Sequence, residues 1–343
     1  MLPAESEVIL RGPDPGDSMQ VIVLVLALLL GADFQPYSAS LEEHPYPHPV
    51  QEHTFSARGH DLHMAYMDVA PKKGAPKGTV LLLHGKNFSG AYWGETIDPL
   101  VQDGYRVIVP DQVGWGRSSK PLDIQYSFDG LAVWTRDLLD ALDVGEVTVV
   151  GHSMGGMLAT RFALMFPERS ARLVLLNPIG LEDWRHLVPY RTVDAWTEKN
   201  RASTPEGVRT YMKNSYFDGQ WSPEWDGLVA IQAGWALGPD AEHIARVSAK
   251  HYDMIWSQPV VHDFPRLAVP TLLVIGTRDR TALNKDLVDD AARAELGRYD
   301  RLGKEAAAAI PDARLVEVPN VGHLPQVEAF PVWRKALLGF LAE

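Results

Sequence analysis

A serine lies between two glycines at Gly151-His152-Ser153-Met154-Gly155, a G-x-S-x-G pattern. The apolar run Val147 to Gly151 precedes it, and a helical pattern from Met157 to Phe166 follows. Strand, sharp turn and helix in that order expose a serine hydroxyl at a strand's carboxyl end and aim the helix's first N–H groups at it. Side chains at either glycine would collide across such a turn. A hydroxyl is a poor nucleophile until a base removes its proton and an acid orients that base. Two later strand ends offer those groups. Thr271 to Gly276 (TLLVIG) leads to Asp279, and Arg314 to Val318 leads to Val321-Gly322-His323-Leu324-Pro325. The order Ser153, Asp279, His323 is the one in which a serine on such a turn takes its acid and base. Asp286, Asp289 and Asp290 fall in a helical pattern too far along the chain.

Attack on a carbonyl creates an oxyanion, which needs two N–H donors. One is the backbone of Met154, the residue after the serine. The other belongs to the loop after Thr79 to His84, His84-Gly85-Lys86-Asn87-Phe88, where the Lys86 N–H is the candidate. The Lys86 side chain is either a substrate contact or a solvated loop charge, and the solvated charge is the expectation. His60 and His63 lack a third ligand, so no metal is expected.

These groups need a sheet to hold them. Continuous Val/Ile/Leu runs at Thr79 to His84, Tyr105 to Pro110, Val147 to Gly151, Leu173 to Asn177 and Thr271 to Gly276 indicate strands buried on both faces. A helical face recurs between them at Phe128, Leu131, Thr135, Leu138, Leu139 and Leu142. The alternation predicts a doubly wound, mostly parallel α/β sheet. Ahead of it, His53 to Ala57 and Leu62 to Val69 form a hairpin around residues 58–61, and folding is expected to start near Gln51. The rhythm breaks over Leu181 to Pro265, which has no buried strand run yet holds six of the ten tryptophans. It is expected to be a helical cap of residues 181–265 over a core of 41–180 and 266–343.

The 343 residues carry 32 Lys plus Arg against 44 Asp plus Glu, a net charge of −12. That balance argues against nucleic acid as a partner, since phosphate binding requires surplus cations. With zero cysteines, disulfides, thiolate metal sites and a cysteine nucleophile are excluded. Val21 to Ala32 (VIVLVLALLLGA) is too short to span a bilayer and suits the apolar core of a secretory signal. Small residues Ser38, Ala39 and Ser40 follow, so residues 1–40 are expected to be removed during export, with Met1 or Met19 as the start. Periplasmic or secreted localisation without membrane anchoring follows; without a signal the protein is cytoplasmic. No oligomeric state follows from the sequence.

HGKNFSG, DQVGWGRSSKP, GHSMGG, GTRDR and GHLPQVE together resemble the α/β-hydrolase superfamily, in its branch with one cap insertion, over roughly Gln51 to Glu343. The resemblance implies a cofactor-free hydrolase with a Ser153–Asp279–His323 triad and makes Asp111 a structural turn aspartate. Two departures stand out. Lys-Asn-Phe follows His84-Gly85 where one esterase branch has HGGG. And 44 residues separate Asp279 from His323; the extra stretch, Leu287 to Ile310, is expected to be helical and to wall the pocket. Haloalkane dehalogenases and epoxide hydrolases need an aspartate at the nucleophile position, so Ser153 points to acyl-enzyme chemistry. The expected substrates are small to medium, largely apolar carboxylic esters. Carbon–carbon bond hydrolysis, cofactor-free perhydrolysis and a non-catalytic binding module remain alternatives.

Overall fold

Eight strands form one sheet in the order β1-β2-β4-β3-β5-β6-β7-β8. They are β1 (Val50–Ala57), β2 (His60–Val69), β3 (Thr79–Leu83), β4 (Arg106–Pro110), β5 (Val147–His152), β6 (Ser170–Leu176), β7 (Thr271–Gly276) and β8 (Ala313–Val318). β2 runs antiparallel to both β1 and β4; every other pairing is parallel. This computed structural model describes residues 34–343, so the apolar run Val21 to Ala32 lies outside the described residues.

Alternation along the buried strands fills two layers. Leu81, Leu83, Val149, Leu173, Leu175, Leu273 and Ile275 face one core, whereas Val80, Leu82, Val150, Val174, Leu272 and Val274 face the other. Because both faces are covered, every second position had to be apolar on each side, which is why these strands read as unbroken apolar runs. Helix α1 (Gly94–Gln102) and the C-terminal helix pack on the second core through Ile97, Leu100, Trp333, Leu337 and Phe340. Helices α2 (Phe128–Ala141) and α3 (Met154–Met165) cover the first. The strand order reverses about β3, with β4 on one side and β5 on the other. The loops after β3 and β5 therefore diverge at the strands' carboxyl ends, where open α/β sheets form their crevices.

Between β6 and β7 the chain makes α4 (Val193–Arg201), α5 (Pro205–Tyr216), α6 (Ala230–Leu237) and α7 (Ala241–Ser257), with no strand among the described residues. Past β7 come α8 (Asp290–Glu295), α9 (Tyr299–Ala309), the short α10 (Pro325–Glu328) and α11 (Phe330–Leu341).

Two expectations about the N-terminal side need correction. The hairpin turn is only two residues, Arg58 and Gly59, with φ of 53° and 81° and Ala57 paired to His60. Positive φ at both positions matches the twist of the flanking strands, which extends the ladder inward on both sides. Ordered packing also begins before Gln51. Leu41 is fully buried, the Tyr46 hydroxyl donates to Asp111 Oδ2 at 2.5 Å, and Arg117 donates to the carbonyls of Leu41, Glu42 and His44. This proline-rich segment has no periodic pattern, yet its side chains and carbonyls are anchored one by one.

Candidate active site

Ser153 follows β5 with φ 56° and ψ −122°, a conformation that L residues rarely adopt. Such strain persists only where surrounding structure over-determines it, and it collects at functional sites. The packing supplies the constraint. A Cβ on Gly151 would lie 2.1 Å from the Gly155 carbonyl oxygen, and one on Gly155 would lie 2.2 Å from the Leu83 carbonyl oxygen of β3. The first glycine closes the turn, as the sequence suggests. The second instead lets α3 press against the neighbouring strand. Ser153 is thereby held, buried, at the carboxyl end of β5 with the first turn of α3 behind it.

Asp279 follows β7 and is fully buried, as is His323 after β8. The His323 Nδ1–H donates to Asp279 Oδ2 at 2.5 Å. That pairing assigns the proton to Nδ1 and leaves Nε2, which is buried and has no hydrogen-bond partner among the described residues, as the basic nitrogen. Asp279 also accepts from Asn177 Nδ2 at 2.9 Å and from the Thr281 N–H at 2.8 Å. Three donors thus fix the carboxylate in one orientation. Asp286, Asp289 and Asp290 are engaged elsewhere: with Arg191 and Lys199, as a helix cap, and with Arg293.

His152 joins the serine turn to the histidine loop. Its Nε2–H donates to the His323 carbonyl at 2.9 Å, and its Nδ1 accepts from the Tyr92 hydroxyl at 2.9 Å. Tyr92 in turn accepts from the Gly85 N–H at 3.2 Å. Burial, followed by the neighbouring His323, drives the His152 pKa well down, so the ring stays neutral and keeps both bonds. The Lys86 and Met154 amides flank the same turn, and neither has a backbone partner among the described residues. A Cβ on the intervening Gly85 would lie 3.1 Å from Ser153 Cβ.

The helical insertion reaches this cluster. The Tyr216 carbonyl accepts from the His323 N–H at 2.7 Å, and its ring stacks on the imidazole at 4.6 Å. A Cβ on Gly322 would lie 2.0 Å from that carbonyl oxygen, so glycine is what lets the insertion dock there. From the other side Glu328 accepts from the Gly322 N–H at 2.7 Å and pairs with Arg278, beside Asp279. An arginine and a glutamate from two of the quoted motifs thus clamp the acid turn to the histidine loop. Asp111, expected to be a turn aspartate, accepts from the Gly90 and Arg117 N–H groups and from Tyr46.

Two joined cavities lie between the insertion and the core. The inner chamber, about 40 Å³, is bordered by Ser153, Ile179, Trp184 and Tyr216. The outer, about 400 Å³, is bordered by Trp196, Lys199 and Asp286. Both share Lys86, Asn87, Tyr211, Tyr252, Ala282 and Leu283. Only two of the insertion's six tryptophans border them, Trp184 and Trp196; the other aromatic side chains of the wall are Tyr211, Tyr216 and Tyr252. The wall expected from Leu287 to Ile310 comes instead from residues 282–286, just before it, because α9 packs down on the sheet with Leu302 and Ala306 buried in the core. The Lys86 side chain is the clearest correction: it is buried, not solvated, because α7 lands on it. His60 sits beside Asp123, and His63 is occupied by Ser119 and the Arg117 carbonyl.

Residues 78–214 match the family model described as alpha/beta hydrolase fold. A crystal structure of a probable hydrolytic enzyme from Pseudomonas aeruginosa PAO1 is 50% identical, with a TM-score of 0.87 over 90% of this chain and 98% of that one. The chain belongs to the α/β-hydrolase superfamily. This α/β hydrolase also matches a 2-hydroxy-6-oxononadienedioate/2-hydroxy-6-oxononatrienedioate hydrolase of Escherichia coli K12, 40% identical over 102 residues. That match spans 29% of the chain and only 35% of the relative's length. The enol-lactonase of Burkholderia xenovorans LB400 shares the fold at a TM-score of 0.62 and 20% identity, over 85% of this chain and 100% of that one.

Proposed function

We propose that this α/β hydrolase cleaves carboxylic esters through an acyl-enzyme on Ser153. The observation that supports the reading is the buried Asp279–His323 pair, whose Nε2 has no hydrogen-bond partner among the described residues, tied through His152 to the strained turn that carries Ser153. In this reading His323 Nε2 takes the Ser153 proton as the oxygen attacks the carbonyl carbon. The Met154 and Lys86 N–H groups receive the oxyanion. The imidazolium then gives its proton to the leaving alcohol, and water repeats the sequence on the acyl-enzyme. Asp279 holds the tautomer and balances the imidazolium charge. Helices α4 to α7 act as a cap, and an outer cavity of about 400 Å³ suits small to medium substrates. The test is labelling by a fluorophosphonate probe together with ester turnover. Wild type is expected to label and turn over, and Ser153→Ala to lose both while keeping its fold. Retained hydrolysis in that variant refutes the assignment.

A second reading is hydrolysis of a carbon–carbon bond in a vinylogous diketone. It is favoured by the printed activity of the E. coli relative and is open to the same three residues. Turnover of a 2-hydroxy-6-oxo-2,4-dienoate exceeding that of every simple ester would select it. Export is proposed from the composition of Val21 to Ala32 alone, and fractionation of expressing cells tests it.

A further inference from the structure

The cavity wall holds a buried lysine without a counter-ion. Lys86 is 6% exposed. Its Nζ donates to Ser248 Oγ at 2.8 Å and lies 3.5 Å from the centroid of the Tyr252 ring, with Trp115 at 5.0 Å. The remaining polar neighbour is Asn87 Oδ1 at 3.5 Å, the limit of a hydrogen bond. Among the described residues no carboxylate pairs with it. Asp286, the carboxylate on this wall, already bridges Arg191 and Lys199. Lysines this buried are otherwise found paired, because burying an isolated ammonium is expensive and removes the charge rather than tolerating it. Burial accordingly pushes the Lys86 pKa well down. Ser248 and the two aromatic rings give Nζ neutral partners, but none of them balances an ammonium charge. A lysine that receives an anion would gain its counter-ion only when the cavity is filled.

The placement suits that role. Lys86 borders both the chamber that touches Ser153 and the larger outer cavity. Its backbone stands at the serine turn while its side chain points away toward α7. One residue can therefore meet both ends of a substrate: its amide at the scissile carbonyl, its ammonium at a group several bonds away. The outer wall adds Lys199, held by Asp286, and Lys285, held by the Arg280 carbonyl, so the approach is cationic although the chain as a whole is acidic.

We propose that Lys86 is the anion-binding group of the substrate cavity, and that the preferred substrates are esters bearing a free carboxylate. The proposal rests on the serine-hydrolase reading above and names the substrate class for that site. Binding sets the carboxylate against Nζ in place of the absent protein partner, forming a charge-assisted hydrogen bond with the tyrosine ring packed against the ammonium.

The test compares matched substrates on the full-length protein. Monoethyl adipate is set against ethyl hexanoate for an anion on the acyl side, and O-butyrylglycolate against ethyl butyrate for one on the alcohol side. Wild type is expected to favour the anionic member of at least one pair by tenfold or more in kcat/KM, chiefly through KM. Lys86→Met is expected to lower that ratio at least tenfold. The ratio is read within each protein, so a general loss of activity in the variant does not decide it. If wild type favours the neutral ester in both pairs, or if the ratio survives Lys86→Met, the proposal is overturned. The wild-type comparison stands even where the variant does not fold. Fluorophosphonate labelling of Ser153 in the same preparation separates the two failures. Labelling without anion preference refutes this inference alone, and absence of labelling refutes the serine-hydrolase reading beneath it.

Discussion

Asp279→Asn tests how the acid works. The carboxylate receives three donors: His323 Nδ1–H and Asn177 Nδ2 on Oδ2, and the Thr281 N–H on Oδ1. An asparagine has one acceptor oxygen and one NH₂ group, so it cannot serve all three. With its oxygen toward His323, the NH₂ confronts the Thr281 N–H. With its oxygen toward Thr281, the NH₂ confronts Asn177 and forces His323 to place its proton on Nε2. Either way a buried donor loses its partner, at a cost of about 1–3 kcal/mol in stability. In the second orientation the ring can no longer take a proton from Ser153. The same substitution in a serine triad lowers kcat by about 10⁴, and a loss of roughly 10³ to 10⁴ is expected here. Steady-state ester hydrolysis gives kcat and KM, and urea denaturation gives the stability change. KM is expected to change little, because Asp279 contacts the base and not the substrate. A variant within tenfold of wild-type kcat would show that another carboxylate orients His323, or that His323 is not the base.

Two further outcomes follow from burial. The His251 pKa is pushed down to about 3, first by desolvation, and that of His152 is driven well down for the same reason. Both stay neutral in the fold while the unfolded chain takes up protons below about pH 6.5, so acidification favours unfolding. From pH 7.5 to pH 5.5 each removes about 1.4 kcal/mol, about 3 together, and the urea midpoint should fall accordingly; an unchanged or higher midpoint at pH 5.5 contradicts the burial argument. Acyl-chain length probes the aromatic wall: at about 0.8 kcal/mol per buried methylene, going from acetyl to butyryl esters should raise kcat/KM roughly tenfold. A flat profile across acetyl, butyryl and hexanoyl esters would mean that Trp184, Trp196 and the tyrosines pack the insertion without meeting the acyl chain.

What could be read from the sequence was what short-range physics encodes. Strands buried on both faces announce themselves as apolar runs, and β7 ends where TLLVIG ends. The serine turn was legible because its glycines answer to steric limits within a few residues and across to β3. Asn177 was visible as the polar residue closing an apolar strand, but its task emerges only when β6 and β7 lie side by side and its amide bridges the Gly276 N–H and Asp279. Leu41 and Tyr46 were missed because their segment has no period to detect.

The insertion was the least legible part, and the reason bears on function. Its helices were recognisable as the absence of strand signal, but nothing in their spacing says which side chain meets which loop. Tyr216 reaches His323 with its carbonyl and its ring together, and Ser248 and Tyr252 close over Lys86 from one helix. Each of these contacts joins residues far apart in the chain, so each is invisible to local pattern. The division is physical: the core carries the reacting groups on strand ends whose positions the sheet dictates, while the insertion decides what those groups face. A lysine that sequence composition places in solvent becomes a buried side chain because α7 crosses it. On the proposed reading, the chemistry of this site is written in the core motifs, and its selectivity in a contact between a core loop and an inserted helix.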